Sequence, residues 1–462
     1  MTGAPAVLVR EVRVPVAGRR AGRAPLTWAQ RVQWNDTKWM EPYDHYFNAA
    51  RRLAVPPGRE LSDVTGLLAA VAARHESLRT RYPTDGDGSP YQEVSTADEL
   101  VLEVCRTDGA GVDEAADWLQ ARLRARRFEL SEEPPLRAAV LEHEGTPRYL
   151  LVVVSHVTMD FSGLELLTGE LRELLSGRTT PSALPPVERQ MLDQAEAEAA
   201  PAGRRRSEAA LGHWERVLRD APVTVFDPPG PTPPPLDGPE RFGQLGLVSP
   251  ALTLATRALA QRLGVSGTTV VMAAVNVVLC RLTGRARVPL KLIASNRGLT
   301  ELKDLVGIAL GSCVTLVHTE ERTFPEVVRD TGRAALQAYR RSQCDPVALD
   351  ELRSKVSAER GVDRVGLPCG FNDLRPARPA PGDGGATADA VRALLPRTEV
   401  TWDGNRPRQE VTLWYWVEDV DGVDVHHALV DLWYLPRART EELLRGVEDV
   451  IVSAAVAGPS AG

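Results

Sequence analysis

Apolar positions along this chain switch between two periods, and the switches lay out its elements. Val7 to Val16 (V-L-V-R-E-V-R-V-P-V) alternates apolar and charged residues, which predicts a half-buried strand. Val101 to Val104, Ala138 to Leu141 and the apolar, β-branched run Tyr149 to Val154 predict further strands, the last of them buried. Between them the period lengthens. Thr27 with Gln30 forms a capping-box pattern ahead of Trp28, Val32 and Trp34. Val64, Leu67, Leu68, Val71 and Leu78 form the apolar stripe of a helix from about Ser62, and another helix falls near Ala115 to Arg127. The string Arg74 to Thr80 that closes the second helix reads as a solvated, charged helix end, His75 included. After Val154 comes Ser155-His-Val-Thr-Met-Asp160-Phe-Ser-Gly163, then Leu164, Leu167, Leu171 and Leu174/Leu175 at helical spacing until Gly177. Ser162 and Glu165 have the form of a capping box. His156 and Asp160 are therefore expected between a buried strand and a helix start, where proton chemistry can use a rigidly held imidazole.

The pattern then lapses and resumes. Leu184 to Gly203 is rich in proline, alanine and acid, and Pro222 to Pro239 is rich in proline; they bracket a helix near Ser207 to Leu218. This predicts a connection between two lobes. Helices follow at Leu252 to Leu263 and Thr268 to Leu282, then strands at Val288 to Ala294 and Ser312 to His318. Asp373 to Arg408 reads as a long Pro/Gly/Ala-rich loop with one helical patch near Ala388 to Leu395. Strands at Glu410 to Val417 and Val423 to Leu435 meet at the hairpin signal Asp421-Gly422, and a helix at Glu441 to Val456 closes the chain. Mixed strands and helices predict an α/β (α+β) fold rather than a bundle or sandwich. The expected organisation is an N-terminal lobe over 1–185, a linker over 186–206 and a C-terminal lobe over 207–462.

Composition narrows the function classes. The chain has 462 residues, 25% of them charged, and a net charge of -7, which gives no support for nucleic-acid binding. Five scattered cysteines with no C-x-x-C pair argue against a disulfide framework or a zinc site, and no metal is expected. The longest apolar stretch, Thr268 to Leu282, contains Asn276 and Arg281 and reads as a buried helix rather than a membrane span. A cytoplasmic protein that engages no membrane is expected. No G-x-S-x-G elbow, Walker loop or dinucleotide fingerprint occurs. His426-His427-Ala-Leu-Val-Asp431 spells H-H-x-x-x-D inside an alternating run and reads as ordinary strand sequence. Trp414 and Trp416 share a strand face, where packing is the expected role.

Several segments, in order, resemble the condensation-domain superfamily of non-ribosomal peptide synthesis, which is related in fold to chloramphenicol acetyltransferase. Leu26-Thr-Trp-Ala-Gln30 looks like the family's first helix motif, and Arg74-His-Glu-Ser-Leu-Arg-Thr80 matches its R-H-E-x-L-R-T. Ser155-His156-x-x-x-Asp160 is similar to its H-H-x-x-x-D-G motif. Asn296-Arg297 through Leu305-Val306-Gly307 resembles a later family segment, as does Gln343 to Asp350 with Val347 in place of an aromatic. The resemblance implies two acetyltransferase-like lobes in a V-shaped pseudo-dimer with a central tunnel, and a latch over about 373–408.

For chemistry the resemblance implies acyl transfer. His156 takes the central role of base or orienting residue. Asp160 is structural, paired with an arginine of the other lobe for which Arg297 is the matching candidate. Ser155 replaces the first motif histidine and supports the loop. Phe161 replaces the motif glycine; either it narrows the acceptor channel or the loop shifts so that Gly163 supplies the flexibility. No cofactor is bound in such proteins; the phosphopantetheine arm of an acyl or peptidyl carrier protein delivers the substrate. With no carrier or adenylation motif in the sequence, the expectation is a free-standing monomer that meets its carrier in trans and joins the acyl group to an amine or alcohol. Two alternatives stand beside this condensation enzyme: a catalytically degenerate domain that recruits a carrier protein or tailoring enzyme, and a coenzyme A-dependent acyltransferase.

Overall fold

A computed structural model of the protein describes residues 7–107, 111–376 and 387–457. The chain divides into two units: unit 1 is Met1–Arg205 together with Ser295–Gly311, and unit 2 is Arg206–Ala294 with Ser312–Gly462. The segment Ser295–Gly311, which lies well inside the C-terminal lobe of the chain-order reading, belongs to unit 1.

Unit 1 contains β1 (Val7–Ala17), β2 (Gly22–Pro25), β3 (Ala49–Ala54), β4 (Thr80–Arg81), β5 (Tyr91–Val94), β6 (Ala97–Thr107), β7 (Leu136–His143) and β8 (Thr146–Val154). Five of them form a sheet in the order β1-β6-β7-β8-β3, and β2-β5-β4 form a small second sheet. Strand β8 shows why the order holds. Successive side chains of a strand point to opposite faces, so Leu150, Val152 and Val154 enter one core and Leu151 and Val153 the other. The first core is closed by the helices Leu61–Arg74 and Phe161–Leu175 through Val64, Leu68, Leu164 and Leu171. The helix Val112–Arg124 closes the second through Ala115, Leu119 and Leu123. A strand covered on both faces needs apolar residues at every position, and this is the run visible at Leu150–Val154.

Ser295–Gly311 joins unit 1 through the same chemistry. Val306 enters the core shared by Leu164 and Leu171, while Leu302, Leu305 and Ile308 pack with Met191.

Unit 2 carries β9 (Phe242–Val248), β10 (Arg287–Ser295), β11 (Leu310–His318), β12 (Cys369–Asp373), β13 (Glu399–Arg406), β14 (Leu413–Val420) and β15 (Val423–Asp431). They form one sheet in the order β11-β10-β12-β14-β15-β9-β13. Its core includes the helix Gly267–Thr283, in which every residue from Val270 to Cys280 is buried. That explains an apolar run with no polar stripe. Among the described residues no single helix is long and apolar enough to cross a membrane.

Two local expectations are corrected, and one strand was not foreseen. Leu184 to Gly203, read as connecting sequence, is largely helical: Gln190 and Asp193 form a capping box that opens the helix Met191–Ala199, and the helix Pro201–Asp220 follows. Alanine and glutamate, which made this stretch look like a linker, are strong helix formers. Within Asp373 to Arg408 the helix Ala388–Leu394 is present, but Glu399–Arg406 is the strand β13 rather than loop. It pairs antiparallel with β9 at the sheet edge, with a bulge between Trp402 and Gly404. Val400 and Trp402 face the core, but the bulge cuts their alternation short and the strand ends in Gly404-Asn405-Arg406, which left only a weak period-two signal. Residues 377–386 of the expected latch lie outside the described residues. Finally, β3, with the sequence Ala-Ala-Arg-Arg-Leu-Ala, lies at the edge of its sheet beside β8, and its adjacent Arg51 and Arg52 put charge on both faces and left no alternation to read.

Candidate active site

The site begins where β8 ends. The chain leaves the sheet at Ser155, turns through an amide of Thr158 that donates to the Ser155 carbonyl at 3.1 Å, and enters the helix Phe161–Leu175. Asp160, not Ser162, caps that helix: its Oδ1 accepts from the Gly163 amide at 2.7 Å. The expected Ser162/Glu165 capping box is therefore displaced by two residues. A carboxylate at the cap also suits the positive end of the helix dipole.

Asp160 is 1% exposed and holds more than the cap. Its Oδ1 also accepts from Arg297 Nη2 at 2.8 Å, and its Oδ2 accepts from the Ala309 amide at 2.8 Å. Arg297 in turn donates from Nη1 to the Leu305 carbonyl at 2.7 Å and from Nη2 to the Gly307 carbonyl at 2.9 Å. One buried ion pair thus fastens Ser295–Gly311 to the start of the helix. The pair lies within unit 1, although 137 positions separate its members in sequence.

Gly163 sits under this strap. A Cβ there would lie 2.4 Å from the Gly307 carbonyl oxygen and 2.9 Å from Met159 Cγ. The residue is needed for close approach of two backbones rather than for flexibility.

His156 is half-buried. Its Nδ1 lies 2.8 Å from the Met159 carbonyl oxygen. A carbonyl only accepts, so Nδ1 carries the proton and Nε2 keeps its lone pair. Burial holds the imidazole below its ordinary value of 6.5, against the opposing pull of the Met159 carbonyl and Asp160. At neutral pH the ring is neutral, with Nε2 free to accept a proton.

Phe161 is 50% exposed, and its ring meets that of His156 edge-on with centroids 6.3 Å apart. The Arg51 guanidinium lies 5.5 Å from the Phe161 ring centroid, and Arg51 Nε donates to Glu165 at 2.6 Å. Ser155 is buried at the strand end.

Behind the loop lies a polar layer that pattern reading missed. Thr158, Tyr82, Ser77 and Gln30 are fully buried. Thr158 donates to the Ser77 carbonyl at 2.9 Å and shares a 2.6 Å hydrogen bond with the Tyr82 hydroxyl. Ser77 donates to the Val306 carbonyl at 2.7 Å. The string Arg74 to Thr80 is thus no solvated helix end. His75 is 2% exposed, with Nε2 3.2 Å from both Glu170 oxygens, and Arg79 is buried and donates to the carbonyls of Arg20 and Ser95. The signal that could have shown this was the interruption of charged residues by Ser77 and Leu78, both wholly buried.

His426 and His427 lie in β15 as expected, on opposite faces. His426 is buried with Nδ1 2.7 Å from the Tyr415 hydroxyl, while the His427 ring stacks on Trp416 at 4.7 Å. Trp414 lies flat on Gly370, within 2.1 Å of where a Cβ would stand.

Comparisons with known proteins agree with one another. The family model described as the condensation domain matches residues 20–367. The phosphinothricin tripeptide synthetase PhsC of Streptomyces viridochromogenes is 29% identical over 347 residues, 72% of this chain and 31% of that protein. The isonitrile lipopeptide synthase of Mycobacterium tuberculosis is 28% identical over 362 residues, 73% of this chain and 14% of that protein. The chain thus spans about a third or less of the length of these relatives. Among solved structures, a condensation domain from the enacyloxin polyketide synthase, described as mediating chain release, superposes with TM-score 0.74 at 22% identity, covering 97% of this chain and 85% of that one. The X-domain from teicoplanin biosynthesis, in complex with OxyB, superposes with TM-score 0.67 at 18% identity, covering 95% of each chain. The fold is the chloramphenicol acetyltransferase-like α/β fold that the sequence motifs implied. With a family model matched over most of its length, the chain belongs to the condensation-domain family.

Proposed function

We propose that this chain transfers an acyl group from the phosphopantetheine thioester of a carrier protein to an amine or alcohol, with His156 receiving the proton of the nucleophile. The observation that carries this reading is the fixed tautomer of His156. Its Nδ1–H is committed to the Met159 carbonyl, which leaves Nε2 as a neutral acceptor at neutral pH. In the reaction the acceptor nitrogen or oxygen attacks the thioester carbonyl, its proton passes to Nε2, the C–S bond breaks, and the leaving thiolate takes the proton back. The carbon–nitrogen or carbon–oxygen bond replaces the carbon–sulfur bond, so no further reactant is required. Asp160 and Arg297 hold the loop that presents His156, Gly163 lets the strap of Ser295–Gly311 approach it, and Ser155 anchors the strand end. Phe161 shapes the approach of the acceptor.

A second reading is favoured by one observation. Phe161 lies against His156 where the family motif has glycine, and one structural neighbour is an X-domain in complex with OxyB. On that reading the chain recruits a carrier protein or tailoring enzyme without catalysis.

Intact-mass analysis of an acyl-loaded carrier protein, incubated with an acceptor, separates these readings. Product with the wild type and its loss with His156→Ala supports catalysis. Carrier binding with no turnover for any donor supports recruitment. Turnover of a coenzyme A thioester at the same rate as the carrier-bound donor would replace the carrier-dependent reading with a coenzyme A-dependent one.

A further inference from the structure

The polar layer behind the His156 loop has a direction. The Ser77 carbonyl only accepts, so the Thr158 hydroxyl spends its proton there. The 2.6 Å contact between Thr158 Oγ1 and Tyr82 must then be donated by Tyr82. Gln30 Nε2 donates to the Tyr82 oxygen at 3.4 Å, and Gln30 Oε1 accepts from the Thr27 amide at 2.9 Å. The result is a one-way chain from Gln30 through Tyr82 and Thr158 to the backbone of Ser77, every member fully buried.

Thr158 sits midway between His156 and Asp160. Its own amide closes the turn onto Ser155, and the next residue, Met159, supplies the carbonyl that fixes the His156 tautomer. On one side of this turn Asp160 is locked by Arg297 and the Ala309 amide. On the other side the Thr158 hydroxyl ties the loop to Ser77 and Tyr82, whereas the His156–Met159 hydrogen bond is internal to the loop. Burial makes the tie strong, because a hydroxyl or carbonyl left unpaired here has no water to turn to.

We propose that Tyr82 and Thr158 are positioning residues for His156: their hydrogen-bonded chain sets the Met159 carbonyl against Nδ1 and so keeps Nε2 as the proton acceptor. The inference rests on the role proposed for His156, but part of its test does not depend on that role. Tyr82→Phe removes one oxygen and Thr158→Val one hydroxyl, both without a change of shape.

The first measurement is the ¹⁵N spectrum of histidine-labelled protein, in which the shifts of Nδ1 and Nε2 report which nitrogen carries the proton. His156 in the wild type is expected in the Nδ1–H form, and Thr158→Val is expected to give a mixture of forms. The second is turnover. A displaced general base costs on the order of tenfold to a hundredfold, so kcat is expected to fall by that factor in each variant with KM unchanged. Tyr82→Phe/Thr158→Val is expected to fall no further than the worse single variant, because both cut the same chain. Thr158→Ser, which keeps the hydroxyl, is expected to restore both readouts. An unchanged His156 tautomer in a folded Thr158→Val protein overturns the inference, as does a Thr158→Ser variant no better than Thr158→Val. If His156→Ala retains full turnover while the tautomer still shifts in Thr158→Val, the positioning chain stands and the catalytic role of His156 fails.

Discussion

Two stretches of this chain spell histidine, three residues, aspartate: His156 to Asp160 and His427 to Asp431. Both aspartates are buried against an arginine, Asp160 with Arg297 and Asp431 with Arg241, each at 2.8 Å. The surroundings of the histidines differ. The first string leaves a strand and turns into a helix, so four positions of chain fold back and Nδ1 of His156 reaches the carbonyl of Met159. The second runs straight along β15, where each residue advances about 3.3 Å. His427 and Asp431 therefore share a face but stand far apart, and His427 stacks on Trp416 instead. Letter spacing is common to both strings; the backbone that follows it decides whether the imidazole becomes a positioned base or a piece of a sheet face.

The largest expected effect that sharpens this contrast is on the arginines. Breaking one side of a buried pair leaves an uncompensated charge and costs about 3–5 kcal/mol. Arg297→Ala and Arg241→Ala are both expected to lose stability of this order in urea denaturation. At a temperature where both remain folded, only Arg297→Ala is expected to lose transfer activity. Equal activity losses would mean that the strap of Ser295–Gly311 has no special bearing on His156.

Next comes acid. The His426 imidazole is fully buried, and burial with the nearby Arg375 guanidinium pushes its pKa down to about 3. Between about 6.5 and 3 the unfolded chain binds a proton at this residue and the folded chain does not. Its contribution is therefore complete above pH 6.5 and is lost as pH falls, with a slope of about 1.4 kcal/mol per pH unit. His426→Leu is expected to flatten the stability profile below pH 6.5 relative to the wild type; parallel profiles would contradict this. His156, also held below 6.5, has the same sign.

The smallest effect is at the glycines. Gly163→Ala drives a methyl against the Gly307 carbonyl at 2.4 Å, a backbone atom that cannot step aside, and is expected to cost about 1–3 kcal/mol. Gly246→Ala, beside His427, meets the Thr401 hydroxyl at 2.8 Å, a side-chain end that can rotate away. It is expected to cost less in the same denaturation experiment. The reverse order would contradict the tight strap.

What was legible followed burial. The run Tyr149–Val154 announced a buried strand and Thr268–Leu282 a buried helix, and Leu150–Val154 and Val270–Cys280 are buried throughout. The Thr27/Gln30 capping box is present as read. Edge elements were not legible: β3 carries arginine on both faces, the alternation of β13 is cut short by its bulge, and the grouping of Ser295–Gly311 with unit 1 depends on Val306, whose partners lie far away in sequence. At the site, His156, Asp160 and Arg297 were all singled out, and Asp160 does meet Arg297. Their supporting layer was missed, because Gln30, Tyr82, Ser77 and Thr158 reveal a hydrogen-bonded chain only when three separate segments come together. The helix cap at Asp160 was missed for a related reason: the carboxylate serves cap and ion pair at once, which hides the simpler signature at Ser162.

The most direct test is a single-turnover assay of acyl transfer from a loaded carrier protein, run side by side with wild type, His156→Ala and His427→Ala. The account predicts loss of product with His156→Ala and a wild-type rate with His427→Ala. Product at the wild-type rate from His156→Ala, or loss confined to His427→Ala, would contradict it.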